Sequence, residues 1–132
     1  MAHNYKIKLD IRESGLKTHL ESLFNSDDFN TYFESVPLDI GDIHLILNDT
    51  IVFIIERKTI GDLYASIKDG RYKEQKCRML SNYPSSKIIY LLEGNVTSSS
   101  FKRINKDVVY GSIVNTLLRD NIKILHSHTI QE

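Results

Sequence analysis

The sequence predicts an α/β protein, a mixed central sheet flanked by helices, and three observations carry that expectation. The run "IVFII", 51–55, is apolar and rich in β-branched and aromatic residues, as a strand buried on both faces requires. The stretch "YKIKLDIRE" places Ile7, Leu9 and Ile11 at every second position, the period of a half-buried strand. Strand-like and helix-like runs then succeed one another in the order β-α-β-β-β-α-β-α-β, which calls for helices layered on a sheet.

Each element has a local reason. Ser14 is placed to cap a helix through "GLKTHLESLF", where Leu16, Leu20, Leu23 and Phe24 form one stripe. "NSDDFN" reads as turn chemistry. "TYFESVPLD" and "DIHLILN" read as two strands joined near Pro37 and Gly41, and Asn48-Asp49 as a hairpin turn into "TIVFIIERK". A helical stretch follows from about Gly61 to Asn82, with a bend expected at Gly70. "KIIYLLEG" is a strand, "TSSSFKR" a polar loop, "KDVVYGSIVNTLLRDN" a helix and "IKILHS" a short final strand. The last helix is unusually apolar. Val108, Val109, Ile113, Val114, Leu117 and Leu118 cover more than one stripe, so a helix deep in a monomer core competes with one shared with a partner.

Composition narrows the function. The 132 residues form one expected domain, 1–132, long enough to bury a real core. No cationic leader precedes an apolar stretch, so the chain is expected not to be secreted but to work inside the cell. Ile43 to Ile55 is the longest apolar segment. It is broken by Asn48-Asp49-Thr50 and too short to span a bilayer, so no membrane partner is expected. Cys77 is the only cysteine, which excludes an internal disulfide, and it reads as a small buried hydrophobe. A formal net charge of zero argues against wholesale electrostatic binding of nucleic acid but leaves room for a local basic face.

The chemistry is concentrated where the central strand ends in three charges, Glu56, Arg57 and Lys58, with Asp62 close behind. Strand alternation sends Glu56 and Lys58 to one face and Arg57 to the other. A carboxylate beside an ammonium suits phosphodiester hydrolysis: the first holds a divalent cation, and the second orients water or neutralises developing charge. One carboxylate rarely suffices for Mg²⁺. A hairpin tight at Asn48-Asp49 brings Asp42 toward Glu56, and Asp10 and Glu13 stand at the C-terminal end of the first strand. Three charges alone are more often a solvated strand end. The joint pattern of Asp-x-Arg-Glu, Gly-Asp and Glu-Arg-Lys-x-x-x-Asp is much rarer.

Those segments, "LDIRESG", "LDIGDI", "FIIERKTIGDLYASIKDGRYKEQKCRML" and "KIIYLLEG", resemble in order the nuclease domain of the XPF family of structure-specific DNA endonucleases, and its crossover-junction branch most of all. The resemblance implies a restriction-endonuclease-like core that cuts branched DNA, such as 3′ flaps, forks and nicked junctions, with Mg²⁺ or Mn²⁺. By position it implies Asp42 and Glu56 as metal ligands and Lys58 on the nucleophilic water. Asp10 matches the family's first acidic position, with Arg12 and Glu13 completing that motif, and Arg57 and Asp62 match positions needed for activity. It also implies work in DNA repair or recombination, in the nucleus or another DNA-containing compartment, and pairing with a copy or an inactive relative through the C-terminal helix and strand. Family members usually carry helix-hairpin-helix motifs that grip duplex DNA, and no such segment is read in these residues.

The basic run after the site, Lys68, Arg71, Lys73, Lys76 and Arg78, is for any single residue best read as a solvated helix face. As a group beside a metal site it can neutralise phosphates. The family match singles out Arg71 and Gln75, and with Arg12, Lys73 and Lys76 they form the expected DNA-binding set. Tyr72 reads as a core or hydrogen-bonding tyrosine, and His126 and His128 as structural or solvated. Two other functions compete with an active nuclease: a catalytically silent DNA-binding or scaffolding subunit, and a Holliday-junction resolvase. Retention of Asp10, Asp42, Glu56, Lys58 and Asp62 favours the nuclease.

Overall fold

The computed structural model describes residues 4–94 and 105–132. Six strands, β1 (Tyr5–Asp10), β2 (Phe33–Val36), β3 (Ile43–Leu47), β4 (Thr50–Thr59), β5 (Ile88–Glu93) and β6 (Lys123–Ser127), form one sheet in the order β2-β1-β3-β4-β5-β6. β3 is antiparallel to both β1 and β4, while β1–β2, β4–β5 and β5–β6 are parallel. The expected mixed sheet is present. Among the described residues no helix is long and apolar enough to cross a membrane.

Helices α1 (Ser14–Leu23) and α2 (Ser26–Tyr32) cover one face, and α3 (Ile60–Lys68), α4 (Arg71–Asn82) and α5 (Lys106–Val114) the other. The larger core lies under the second group, where Ile60, Leu63, Tyr72, Met79 and Val109 pack on Ile88, Tyr90 and Leu92 of β5. Leu9, Phe29, Phe33 and Ile43 form the smaller core under α1 and α2.

Three local readings need correction. "NSDDFN" is not a turn: Asn25 caps α2 by accepting from the Asp28 backbone N–H, Asp27 and Asp28 sit at the positive end of the helix dipole, and Phe29 stacks on Phe33 with ring centroids 4.9 Å apart. Burial of one aromatic decides this short helix. Ser14 does not cap α1; it is the first helical residue, Glu13 holds the cap position, and no side chain caps the helix. The helical stretch from Gly61 to Asn82 is two helices, because Gly70 takes φ +84°, a left-handed conformation that ends α3 and restarts the chain as α4. Thr59 caps α3 by accepting from the Asp62 N–H.

The apolar C-terminal helix continues past Val114 as one π-helical turn over Asn115–Arg119. Val109 and Thr116 are fully buried, whereas Leu118 is 80% exposed. The expected polar loop "TSSSFKR" lies outside the described residues. Cys77 is exposed rather than buried: α4 turns Tyr72, Lys76 and Met79 inward, which leaves Cys77 pointing out. Tyr72 is a core tyrosine hydrogen-bonded to Thr116. The ring of His126 bonds the Gly94 carbonyl, the structural role expected of it.

Candidate active site

The site is built on the β3–β4 hairpin. Asn48 and Asp49 both take positive φ, 50° and 66°, the conformation of a two-residue turn whose twist matches its strands. The hairpin pairs Ile43 with Ile55, so the residue before β3 comes back beside the end of β4. Asp42 is then pinned by its backbone. Its carbonyl accepts from the Asp10 N–H at 2.8 Å, and its own N–H donates to the Ile55 carbonyl at 2.8 Å.

Gly41 makes the approach possible. It has φ +77°, and a Cβ there would lie 2.5 Å from Cγ2 of Ile54. The imidazole of buried His44 braces the same bend through the Ile40 carbonyl, 2.7 Å away. Gly41→Ala is expected to cost on the order of 2–4 kcal/mol, from left-handed strain plus overpacking against Ile54. Urea denaturation that moves by less than about 0.5 kcal/mol would contradict this account of the bend.

Glu56 and Lys58 face the α3–α4–α5 side, as their pairing with Tyr90 and Leu92 of β5 requires, and Arg57 faces the other. The Arg57 N–H donates to Oδ2 of Asp42 at 2.8 Å, fixing that carboxylate toward Glu56. The two acids then share a desolvated corner. Burial pushes the Glu56 carboxyl up to about 7, and the charge of Asp42 adds to the effect. Burial raises Asp42 as well, against the pull of the Arg57 N–H. Two carboxylates so placed resist ionising together. Lys58 Nζ lies 4.0 Å from Glu56 Oε1 and donates to Gln75 Oε1 at 2.8 Å. A cavity of about 80 Å³ opens over the carboxylate pair, with Arg12, Gln75 and Arg78 in its wall.

Of the four carboxylates expected around a metal, two face this cavity. Asp10 is 2% exposed, and both its oxygens are engaged: Oδ1 by the N–H and Nε of Arg12, Oδ2 by Nη2 of Arg12 and the Leu38 N–H. Hydrogen bonding from Arg12, above all, holds its carboxyl well below the usual carboxylate range. Glu13 is tied to Arg57 at 2.9 Å. Among the described residues no three His, Cys, Asp or Glu side chains gather in a metal-holding group. Asp42 and Glu56 are therefore the pair whose oxygens could meet a hard divalent cation.

Arg57 is a brace. Its guanidinium bridges Glu13 beyond β1, at 2.9 Å, and Glu93 at the end of β5, at 2.7 Å, tying both neighbouring strand ends to β4. Asp62 is exposed in the first turn of α3, its backbone N–H on the capping Thr59. Of the expected DNA-binding set, Arg12, Arg71 and Lys73 are exposed. Lys76 is not available for DNA. It is 6% exposed, its ammonium bound to the half-buried Asp120 carboxylate at 2.7 Å and lying over the Tyr72 ring. Gln75 turns its amide oxygen to Lys58 rather than outward. His44 and Glu93 were not singled out from sequence, and Arg78, named only within the basic run, donates from Nη2 to the Asp39 carbonyl at 3.0 Å. Only Glu93 carried a signal, as the charged end of an apolar strand.

A mixed sheet with a half-buried carboxylate pair and a lysine at the end of a central strand places the fold in the restriction-endonuclease-like class. Residues 9–132 match the ERCC4 domain model, and the chain belongs to that family, in agreement with its XPF-type motifs. It is 35% identical over 134 positions to the probable crossover junction endonuclease mus81 of Dictyostelium discoideum, covering 91% of this chain and 14% of that protein. It is 33% identical over 123 positions to the ERCC4 domain-containing protein EP364R of African swine fever virus (isolate Pig/Kenya/KEN-50/1950), covering 85% and 32%. XPF from Aeropyrum pernix, solved in complex with DNA, has the same fold, with a TM-score of 0.73 at 23% identity over 96% of this chain and 57% of that one. The chain thus spans only part of the length of the relatives it matches.

Proposed function

We propose that this chain is the catalytic domain of a Mg²⁺- or Mn²⁺-dependent, structure-specific endonuclease that hydrolyses phosphodiester bonds in branched DNA during repair or recombination. The observation that carries this reading is the convergence of Asp42 and Glu56 on one cavity at the end of the hairpin, with the Lys58 ammonium 4.0 Å from Glu56. A divalent cation held by Asp42 and Glu56 would polarise the scissile phosphate and lower the pKa of water beside it. The protein does the rest. The Arg57 N–H aims the Asp42 carboxylate, the Arg57 guanidinium fixes the strand ends, and Lys58 presents its ammonium beside Glu56 to align water or meet developing negative charge. Exposed Arg71 and Lys73 on α4 meet the DNA backbone, and Arg12 guards the cavity mouth. The place of action is a DNA-containing compartment. The test is incubation with labelled flap, fork, nicked-junction and linear duplex DNA in Mg²⁺, Mn²⁺ or EDTA. Metal-dependent cutting confined to branched substrates is expected; metal-independent binding without cutting would replace this reading with a scaffold.

Pairing with a copy or an inactive relative belongs to the same proposal. Val114, Leu117 and Leu118 at the end of α5 and its π-helical turn are 49%, 40% and 80% exposed, an apolar group in want of cover, and Leu125 on the edge strand β6 is 54% exposed. Leu118→Asp buries an unpaired charge in such an interface, so light scattering should report a smaller species. A wild-type protein monomeric at high micromolar concentration would end the self-pairing version.

A further inference from the structure

We propose that Gln75 is a positioning residue for Lys58, and that α4 thereby sets the geometry of the reaction as well as meeting DNA; this rests on the nuclease reading above. Lys58 has a long, rotamer-rich side chain at the end of a strand, and its ammonium is 4.0 Å from Glu56, too far for a hydrogen bond. The short contact is to Gln75 Oε1, at 2.8 Å, and it is the one side-chain hydrogen bond of Lys58 among the described residues. The acceptor is neutral. A carboxylate there would pair with Lys58 and add a third acid to the Asp42–Glu56 corner, whereas an amide oxygen orients the ammonium and leaves its charge for the site.

Gln75 is itself rigidly held. Tyr72, Lys76 and Met79, at three before, one after and four after, are the buried residues of α4. They fix the rotation of the helix, and Arg78, three further on, donates to the Asp39 carbonyl on the segment leading into Asp42. One helix thus grips both the lysine and the approach to the acid.

The experiment compares wild type, Gln75→Leu, Lys58→Ala and the double variant in single-turnover cleavage of a nicked junction at saturating enzyme, with DNA affinity measured separately. Gln75→Leu is expected to slow cleavage by about ten- to a hundredfold, with affinity changed less than about twofold, and to have no further effect on Lys58→Ala. Additive losses, or a loss that appears only in affinity, would overturn the positioning role. A second readout needs no cleavage. In protein labelled with ¹⁵N-lysine, the Lys58 Nζ resonance should be protected from solvent exchange in wild type and lose that protection in Gln75→Leu. An Nζ signal unchanged by the substitution would overturn this inference alone, whereas a wild type that cuts no branched DNA would overturn the nuclease reading.

Discussion

Glu56→Gln and Asp42→Asn are each expected to lower cleavage in Mg²⁺ by about a thousandfold or more while leaving the protein folded. Each keeps the shape of its side chain and removes one of the two paired carboxylates proposed to hold the cation. The amide oxygen that Asp42→Asn introduces would still accept from the Arg57 N–H, which protects the hairpin. In metal-free protein the same substitutions should stabilise. The Glu56 carboxyl is raised from an ordinary value of 4.5 to about 7, by burial first and the charge of Asp42 second. A carboxyl raised in the folded state favours folding below its unfolded pKa, and that contribution is lost as pH rises through about 7. In EDTA at pH 8, Glu56→Gln should therefore be the more stable protein, by on the order of 1–3 kcal/mol, and the gap should close toward pH 5. A variant that cuts at near wild-type rate, or a gap indifferent to pH, would remove Glu56 from the site.

The second large effect separates chemistry from grip. Lys58→Ala should cut single-turnover cleavage by about a hundredfold or more with DNA affinity nearly unchanged, because its ammonium lies beside Glu56 and inside the protein, 11% exposed. Arg71 and Lys73 are exposed on α4, so their neutralisation should weaken binding to all substrates alike and flatten the salt dependence by roughly one unit of slope per contact. Excess enzyme should rescue the second class only. Lys58→Ala restored at saturating enzyme would make Lys58 a phosphate anchor. Lys76→Ala should behave unlike either: it removes the shorter of the two ion pairs of Asp120 and leaves only that to Arg119, so it reads out as lost stability.

What was legible in the sequence is what is local. The β4 strand, the Asn48-Asp49 turn and the alternation of Glu56 and Lys58 all act within a few residues and are found as read, although within the run 51–55 only Ile54 is fully buried. The seven-residue α2 was missed because its polar composition mimics a turn, while the burial of Phe29 that secures it depends on Phe33 and the sheet. The charged side chains were the hardest to place. Lys76 looks solvated until Asp120 and Thr116 arrive from the far end of the chain. Asp10 and Glu13 look like ligands until Arg12 and Arg57 are seen to occupy them. A carboxylate's availability depends on which cation folds against it, and letter spacing does not encode that.

The antiparallel β3–β4 pairing has a consequence for how the site comes into being. Asp42, Glu56 and Lys58 fall within one hairpin, the kind of short-range contact that closes in microseconds, whereas the parallel β4–β5 pairing must wait for α3, α4 and the following strand. The two acids can therefore meet early, and the Glu93 and Gln75 contacts of Arg57 and Lys58 come later. The geometry around Arg57 and Lys58 is therefore complete only after β5 and α4 have packed on the hairpin, so the last contacts to form are the ones that orient the two cations.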